Sequence, residues 1–360
     1  MIEQGIIDTI ARDSLISCGS SADWDSLLQK KDLHIAFLGG SVTQGYIAQQ
    51  VMQNAYPQMV TEALRKDGFE PEMTLCAEPG MFTLHCHLLL DTYVMPTNPD
   101  LVFLEFAINE MKLPPNVKSF EALIRRFLTL EKPPIVCVII LRNANDYSCE
   151  SYMQEIAAHY GLPCINVRKG LNAAIDAGKL TFADYADHES HPYEDGHKMI
   201  AECVCELFRQ AKEKHEFSPS PLPEPWIDPP YAPLHFDMPA ALPDCGAEII
   251  PLDRPYFRSA MHLTSEHPRF EITVTSNMAL VVYEVHQLPN YGCVNVTIDG
   301  KPAHEPVLHS NSLYGWGNPF FSFLWIGEKI ETHTVTLELI EGEFFLLGFA
   351  SHEVTQENES

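Results

Sequence analysis

A proline-rich segment divides this chain into two parts. Nine of the 27 prolines lie between residues 217 and 244. Proline lacks a backbone N–H and has a fixed φ, so the segment excludes a regular helix and a central strand. The hydrophobic pattern differs on its two sides. The sequence therefore predicts two domains, residues 1–216 and 245–360, joined by a stiff linker at 217–244.

Before the linker, short apolar runs alternate with longer amphipathic stretches. Short runs rich in β-branched residues are typical of strands that are buried on both faces of a sheet. The last amphipathic stretch, residues 193–215, predicts a closing helix with basic residues in its final turns. The alternation indicates an α/β fold with a parallel sheet, whose functional residues gather at the carboxyl ends of the strands. The predicted strands are LHIAFLGG, PEMTLCA, PDLVFLEFA, PPIVCVIIL and LPCINV.

After the linker, apolar and polar residues alternate with a period of two over residues 245–352. Asp299-Gly300 is a strong signal for a hairpin turn between two such runs. We therefore predict an antiparallel β-sandwich of the jelly-roll kind. Its expected strands are RFEITVTSN, MALVVYEVH, GCVNVTIDGK, FSFLW, HTVTLELIE and EFFLLGFA.

The charge balance excludes several classes of partner. The formal net charge is −26, from 49 acidic and 23 basic residues, which opposes binding to nucleic acid or to anionic lipid. No stretch is long and apolar enough to span a bilayer, and the first residues lack the features of a signal peptide. The ten cysteines lack metal-ligand spacing and are expected to be reduced thiols. We expect a cytoplasmic protein; the sequence leaves open whether it is a monomer or a homo-oligomer.

The stretch AFLGGSVTQGY places a serine between a buried strand and a helix. Gly39 and Gly40 allow a tight turn and a close approach to a bound group. Ser41 at the apex is therefore a candidate nucleophile. The alternative is that Ser41 or Thr43 only caps the helix, since serine is a preferred N-cap.

Three further residues follow later strands and supply the other parts of an ester-cleaving site. Gly80 in AEPGMFTLH and Asn109 in EFAINE could donate hydrogen bonds to an oxyanion, and His191 in HPYEDGH could act as the base. Taken singly, they could be a turn glycine, a strand-end cap and a loop histidine. Their order along the chain favours nucleophilic catalysis over three unrelated structural roles.

These four blocks resemble those of the SGNH, or GDSL-type, hydrolase superfamily over about residues 30–215. The resemblance implies a flavodoxin-like sheet, with Ser41 as nucleophile and His191 as base. It also implies an oxyanion hole formed by Ser41, Gly80 and Asn109. The first block reads Gly-Gly-Ser where Gly-Asp-Ser is usual, which leaves the nucleophile intact.

The acid that completes the triad departs most from the family pattern. The family generally places it three residues before the histidine, where this chain has His188. Asp187, four residues before His191, is the better candidate through a one-residue insertion, and Glu189 is the alternative. His197 keeps the family spacing after His191, which supports His191 rather than His188 as the base.

A metal site is not expected. His85, His87 and His188 have no metal-ligand spacing with a carboxylate partner, so we predict neither a metal nor a cofactor. Glu194 and Asp195 are interpreted as first-turn acids of the closing helix, where the helix dipole favours negative charge.

Four residues are predicted to contact substrate. Gly40 lies beside the nucleophile, and Glu110 follows Asn109 at the position where the family usually has aspartate. Tyr314 and Trp316 lie in a glycine-flanked loop of the second domain, and aromatic faces stack well on sugar rings. We expect this loop to form a lid over bound sugar.

The aromatic residues after that loop are interpreted differently. Phe321, Phe323 and Trp325 alternate with smaller residues along a predicted strand. Because aromatic side chains in a sandwich usually face its interior, these three are predicted to lie in the core.

The domain order is similar to that of carbohydrate esterase family 17. In that family a hydrolase precedes a module resembling carbohydrate-binding family 35, and the enzymes deacetylate mannose units of mannan oligosaccharides. The resemblance implies an acetylated oligosaccharide as the substrate. The alternatives are a lysophospholipase or thioesterase, and a carbohydrate-binding protein without catalytic activity.

Overall fold

The computed structural model describes residues 2–47, 50–214, 217–218, 221–227, 233–313 and 315–352. The chain divides into two units, Met1–Tyr231 and Ala232–Ser360, within the predicted linker. At the start of the linker, the backbone N–H of Ile227 donates to the carboxylate of Glu121 in the first unit, at 2.8 Å. Near its end, the strand Leu234–Asp237 pairs with the last strand of the second unit. Both ends of the predicted linker therefore belong to folded units.

The first unit alternates helices with strands along the chain. In chain order they are α1 (Gln4–Ser14), β1 (Leu15–Ser17), α2 (Trp24–Leu28), β2 (Asp32–Gly39), α3 (Ser41–Gln44), β3 (Tyr46–Ile47), β4 (Gln50–Val51), α4 (Tyr56–Lys66), β5 (Glu70–Ala77), α5 (Thr83–Leu89), β6 (Leu101–Glu105), α6 (Pro114–Leu128), β7 (Ile135–Ile140), α7 (Glu150–His159), β8 (Cys164–Asn166), α8 (Val167–Asp176), α9 (Phe182–Tyr185) and α10 (Glu194–Lys214).

The sheet of the first unit has the strand order β1-β8-β7-β6-β2-β5. The five strands from β8 to β5 are parallel, which confirms all five strands predicted from the sequence. Their order is that of flavodoxin-like folds, and it reverses direction between β2 and β6. Ligands of such sheets bind at this reversal, outside the carboxyl ends of the strands. Ser41 follows β2 directly, and Asn109 lies shortly after β6.

The sheet is apolar because both of its faces are covered. All residues of β6 and β7 are buried. Phe37 and Phe103, on the neighbouring strands β2 and β6, stack with their ring centroids 5.0 Å apart, and both are fully buried. This rigid layer supports the turns that follow the strands. None of the helices that the structure describes is long and apolar enough to cross a membrane.

The second unit consists mainly of strands. In chain order they are β9 (Leu234–Asp237), β10 (Glu248–Pro251), β11 (Ser259–Leu263), β12 (Arg269–His286), β13 (Cys293–Ile298), β14 (Lys301–His309), β15 (Trp316–Glu341) and β16 (Phe344–His352).

Every pairing between these strands is antiparallel, as predicted, but two strands are longer than the sequence pattern suggests. The segments RFEITVTSN and MALVVYEVH form the single strand β12, and FSFLW and HTVTLELIE both lie in β15. A register shift between Ser276 and Met278 marks the place where two strands were predicted. Such irregularities bend a strand without ending it, so β12 and β15 each continue through the predicted break.

Of the three aromatic residues predicted to lie in the core of the second unit, Trp325 packs against the core, whereas Phe321 and Phe323 do not belong to it. All three are half-buried, whereas Ser322 and Leu324 between them are buried. The inward hydroxyl of Ser322 has a hydrogen-bond partner in the buried Tyr283 hydroxyl, at 3.3 Å. Since this pair satisfies the polar group, the strand can bury Ser322 between the half-buried rings of Phe321 and Phe323.

Candidate active site

Ser41 begins the short helix α3, directly after the turn that ends β2. The N-cap of α3 is Gly40, so Ser41 does not cap the helix. Thr43 does not cap it either, because its hydroxyl instead contacts Tyr56 and Glu105. The Ser41 side chain is only 6% exposed, and its Oγ lies 3.1 Å from Nε2 of His191. The hydroxyl is therefore placed to give its proton to a base.

Asp187 orients the imidazole of His191 from the opposite side. Oδ2 of Asp187 lies 3.1 Å from Nδ1 of His191. Oδ1 accepts the backbone N–H groups of Glu189, Ser190 and His191, at 2.9, 2.9 and 3.0 Å. Partial burial raises the pKa of Asp187, but these hydrogen bonds outweigh it and hold the pKa below its ordinary value. The carboxylate is therefore ionised at neutral pH.

Glu189, the alternative acid, is less well placed. Its Oε2 lies 3.7 Å from Nδ1 of His191, which is beyond hydrogen-bond distance, and its side chain is 64% exposed. His188, at the position where the family generally has its acid, is also exposed. The geometry therefore favours Asp187, four residues before His191.

Asn109 and Gly80 lie on two loops that contact each other. Nδ2 of Asn109 donates to the carbonyl oxygen of Met81 at 3.0 Å, and Gly80 precedes Met81 directly. Gly80 has φ of 71°, in the left-handed region, so glycine suits this turn. Since an amide nitrogen carries two hydrogens, Asn109 keeps one donor for an oxyanion.

Gly40 allows Asn109 to approach the nucleophile turn. A Cβ at Gly40 would lie 2.0 Å from Nδ2 of Asn109, which is closer than any real contact. Its φ of −97° is open to other residues, so only the lack of space requires glycine. The predicted substrate contact at Gly40 is thus accompanied by a packing role against Asn109.

Glu110 is not placed to contact substrate as predicted. Its side chain is 1% exposed, and its two carboxylate oxygens are bound by Thr83 and Asn116. Burial raises its pKa, while the hydrogen bonds from Thr83 and Asn116 lower it, and the net shift is upward. A carboxylate enclosed in this way serves the structure of the loops. This prediction is therefore corrected.

A second buried carboxyl, Glu105, lies beneath the nucleophile and was missed at the sequence level. Oε2 of Glu105 accepts the hydroxyl of Thr43 at 2.9 Å, and the Thr43 hydroxyl also lies 2.9 Å from the hydroxyl of Tyr56. Burial raises the pKa of Glu105 to about 8, although hydrogen bonds from Thr43 and Gly40 lower it. Its signal in the sequence was one acidic residue in the apolar run LVFLEFA.

The last residues around the base are aromatic. The ring of Tyr46 meets His191 edge-on, with centroids 5.4 Å apart. His197, whose spacing supported His191 as the base, is buried and accepts the backbone N–H of Tyr56 at 3.3 Å. Burial and the nearby His191 lower the pKa of His197 to about 4, so His197 is neutral and structural.

Two residues of the second unit were predicted to contact sugar. Trp316 begins β15 and is 55% exposed, as a sugar-stacking residue would be. Tyr314 lies outside the residues that the structure describes. Within the described part of the chain, no group of three His, Cys, Asp or Glu side chains could hold a metal ion.

We expect Gly40→Ala to fold but to react slowly. The added methyl group meets only the Asn109 side chain, so it should displace the amide and leave the backbone intact. Displacing one oxyanion donor should slow labelling of Ser41 by a fluorophosphonate roughly 10²-fold. Labelling is followed by intact-protein mass spectrometry. Gly39→Ala is the control, because its Cβ would meet the backbone oxygen of Glu105 at 2.7 Å and should lower the melting temperature. Wild-type labelling of Gly40→Ala would contradict this role.

We also expect Glu105→Gln to change how stability depends on pH. The pKa of Glu105 is about 8 in the folded protein and ordinary in the unfolded chain, so the folded state binds more protons between these values. As the pH rises from 5 to 8, the free energy of unfolding of the wild type should therefore fall relative to that of the variant, by up to about 1.4 kcal/mol per pH unit. Urea unfolding at four pH values measures it, and parallel pH profiles would show that Glu105 does not titrate there.

Comparisons with known proteins agree with this fold. No family model matches the chain, and no curated protein matches it. A solved structure of a two-domain esterase active on acetylated mannans superposes with a TM-score of 0.84 at 19% identity, covering 96% of this chain and 99% of that one. A structure of such an esterase co-crystallised with mannopentaose gives 0.81 at 18% identity, with the same coverage. The chain therefore shares the fold of that two-domain esterase over 96% of its length.

Proposed function

We propose that this protein is a serine esterase that removes O-acetyl groups from oligosaccharides through an acetyl-enzyme intermediate. The observation that carries the proposal is the hydrogen-bonded series of Ser41, His191 and Asp187, with both ring nitrogens of His191 at 3.1 Å from their partners. A hydroxyl, a base and an orienting carboxylate in this order are what an activated serine nucleophile requires.

The reaction follows from the positions of these atoms. Oγ of Ser41 attacks the acetyl carbonyl carbon while its proton moves to Nε2 of His191. The oxyanion is stabilised by the backbone N–H groups of Ser41 and Gly80 and by Nδ2 of Asn109. Nε2 then returns the proton to the sugar oxygen, which leaves as a hydroxyl group and gives acetyl-Ser41. His191 then takes a proton from water, whose oxygen attacks the acetyl carbon. The bond between that carbon and Oγ of Ser41 breaks, His191 returns the proton to Oγ, and acetate leaves.

Asp187 stabilises the charged imidazole during both steps. Since its carboxylate is held by three backbone N–H groups, it stays ionised and keeps the Nδ1 proton of His191 pointing toward it. The lone pair on Nε2 of His191 is thereby directed toward the hydroxyl of Ser41 and can accept its proton.

The substrate class rests on the likeness to a known esterase. The two-domain esterase of similar fold is active on acetylated mannans, and a second structure is of such an esterase co-crystallised with mannopentaose. We therefore propose acetylated mannan oligosaccharides as substrates. The second unit is proposed to bind carbohydrate, with the exposed Trp316 as a stacking residue.

A reducing compartment suits the cysteines. All ten are free thiols in the structure, and seven of them are buried. We propose a cytoplasmic location, in which these thiols remain reduced.

The proposal is tested with chemically acetylated mannan oligosaccharides. The wild-type protein should release acetate, seen by mass spectrometry as successive losses of one acetyl group from the oligosaccharide. Ser41→Ala should abolish the release while remaining folded, because loss of a triad nucleophile costs on the order of 10⁶ in turnover. Retention of more than about a tenth of the activity would place the nucleophile elsewhere. Acetylated xylan oligosaccharides and a long-chain acyl ester serve as comparison substrates.

The two carboxylates near His191 should contribute unequally. Asp187→Asn should lower kcat by about 10⁴, because the neutral amide no longer stabilises the imidazolium or fixes its tautomer. Glu189→Gln should change kcat little, since that side chain is exposed and 3.7 Å from Nδ1. Steady-state hydrolysis of p-nitrophenyl acetate compares the two variants. The opposite ranking would identify Glu189 as the acid.

A further inference from the structure

The carboxylate of Glu110 joins the two loops that carry oxyanion donors. Its Oε1 accepts both the backbone N–H of Thr83, at 2.6 Å, and the Thr83 hydroxyl. Its Oε2 accepts Nδ2 of Asn116, in the first turn of α6, at 2.6 Å. One side chain therefore connects the loop after β6 to the start of α5 and the start of α6.

A second link runs beside the first. Nδ2 of Asn109 donates to the carbonyl oxygen of Met81 at 3.0 Å. Thus Asn109 is joined to Met81, and Glu110 to Thr83, so neighbouring residues of one loop contact nearby residues of the other. Gly80 precedes Met81, so these two links control the spacing between the Gly80 N–H and the Asn109 amide.

The main chain at Glu110 is fixed from another direction. Its carbonyl oxygen accepts the Tyr147 hydroxyl at 2.6 Å and the Cys149 thiol at 3.2 Å. The backbone of the Asn109 loop therefore cannot shift alone when the carboxylate loses a partner. A change in the Glu110 side chain should instead move the Gly80 loop relative to Asn109.

The length of the side chain matters for this arrangement. The carboxylate contacts Thr83 and Asn116 on two different helices at once. Aspartate, the residue that the SGNH resemblance predicts at this position, is shorter by one methylene group and would have to give up one of these contacts or pull the loops together.

We propose that Glu110 is a positioning residue that sets the spacing of the oxyanion donors Gly80 and Asn109 by bridging Thr83 and Asn116. The proposal rests on the proposed esterase function. Glu110 is buried, and it acts through the position of the Gly80 loop relative to Asn109. A displacement of about 1 Å at such a donor costs up to roughly 10²-fold in rate, so the bridge affects turnover rather than substrate binding.

Glu110→Asp tests the proposal, and Glu121→Gln is its matched control. Glu121 is also a fully buried carboxylate, and it accepts the backbone N–H of Ile227 and the hydroxyl of Tyr160, away from both loops. With p-nitrophenyl acetate, Glu110→Asp should lower kcat roughly 10- to 100-fold and leave KM within about twofold. Glu121→Gln should lower the melting temperature and leave kcat unchanged. Equal losses of kcat in the two variants, or none in either, would overturn the proposal.

A double-mutant cycle tests the route through the amide. In the Asn109→Ala background, Glu110→Asp should cause a smaller loss of kcat than in the wild type, because Asn109→Ala already removes one donor and its link to Met81 beside Gly80. If the two losses simply multiply, Glu110 does not act through the spacing of Gly80 and Asn109 and the proposal is wrong. Thr83→Val provides the same comparison if Glu110→Asp does not fold, since it removes one bridging hydroxyl and keeps the backbone N–H.

Labelling of Ser41 by a fluorophosphonate separates this proposal from the proposed function. In that reaction Oγ of Ser41 forms a bond to phosphorus, fluoride leaves, and the proton passes to His191. The rate depends on the oxyanion donors and requires no sugar. Slow labelling of Glu110→Asp beside rapid labelling of the wild type supports the positioning role even if no acetylated mannan is cleaved. Equal labelling rates overturn it even if acetylated mannan is a good substrate.

Discussion

The close packing of main chain at the carboxyl edge of the parallel sheet supports every other feature of the site. Gly39 and Gly40 bring the nucleophile turn against the backbone of Glu105 and the side-chain amide of Asn109, so an added methyl group would clash with the first and displace the second. Because the turn is held by contacts with its neighbouring strand, the main chain itself fixes the position of Ser41. The chemistry of the serine therefore depends on residues that carry no functional group.

Much of this could be predicted from the sequence, because local signals carried it. The five parallel strands are short apolar runs bounded by turn residues, and their alternation with helices predicts a parallel sheet, while the strand order was implied by the SGNH resemblance. Ser41, Gly80 and Asn109 each follow a strand, so their placement at one edge follows from the fold, whereas His191 lies in the loop between α9 and α10. Asp187, the preferred candidate for the acid, contacts His191 because it is near enough in sequence to reach it within one loop.

What the sequence did not reveal depends on contacts between distant residues. The sequence could not show that β12 is one strand rather than two, because a bend within a strand and a turn between strands leave the same alternation of apolar and polar residues. The inward phase of Ser322 is set by the hydroxyl of Tyr283, 39 residues away. Likewise, Glu110 was predicted to contact substrate because it is next to Asn109, and its partners Thr83 and Asn116 could not be foreseen from the sequence. Burial of a charge is decided by its neighbours in space.

The loop that holds Asp187 and His191 has a further consequence. Its three backbone hydrogen bonds and the imidazole contact all lie within five consecutive residues, so the proposed acid and base are held together by one loop. The contact between Ser41 and His191 joins residues 150 positions apart. The arrangement of Ser41, His191 and Asp187 therefore depends on one distance between parts of the chain that are far apart in sequence, the distance between this loop and the nucleophile turn. Mutational drift elsewhere in the chain can weaken catalysis through that one distance while the acid–base pair stays intact.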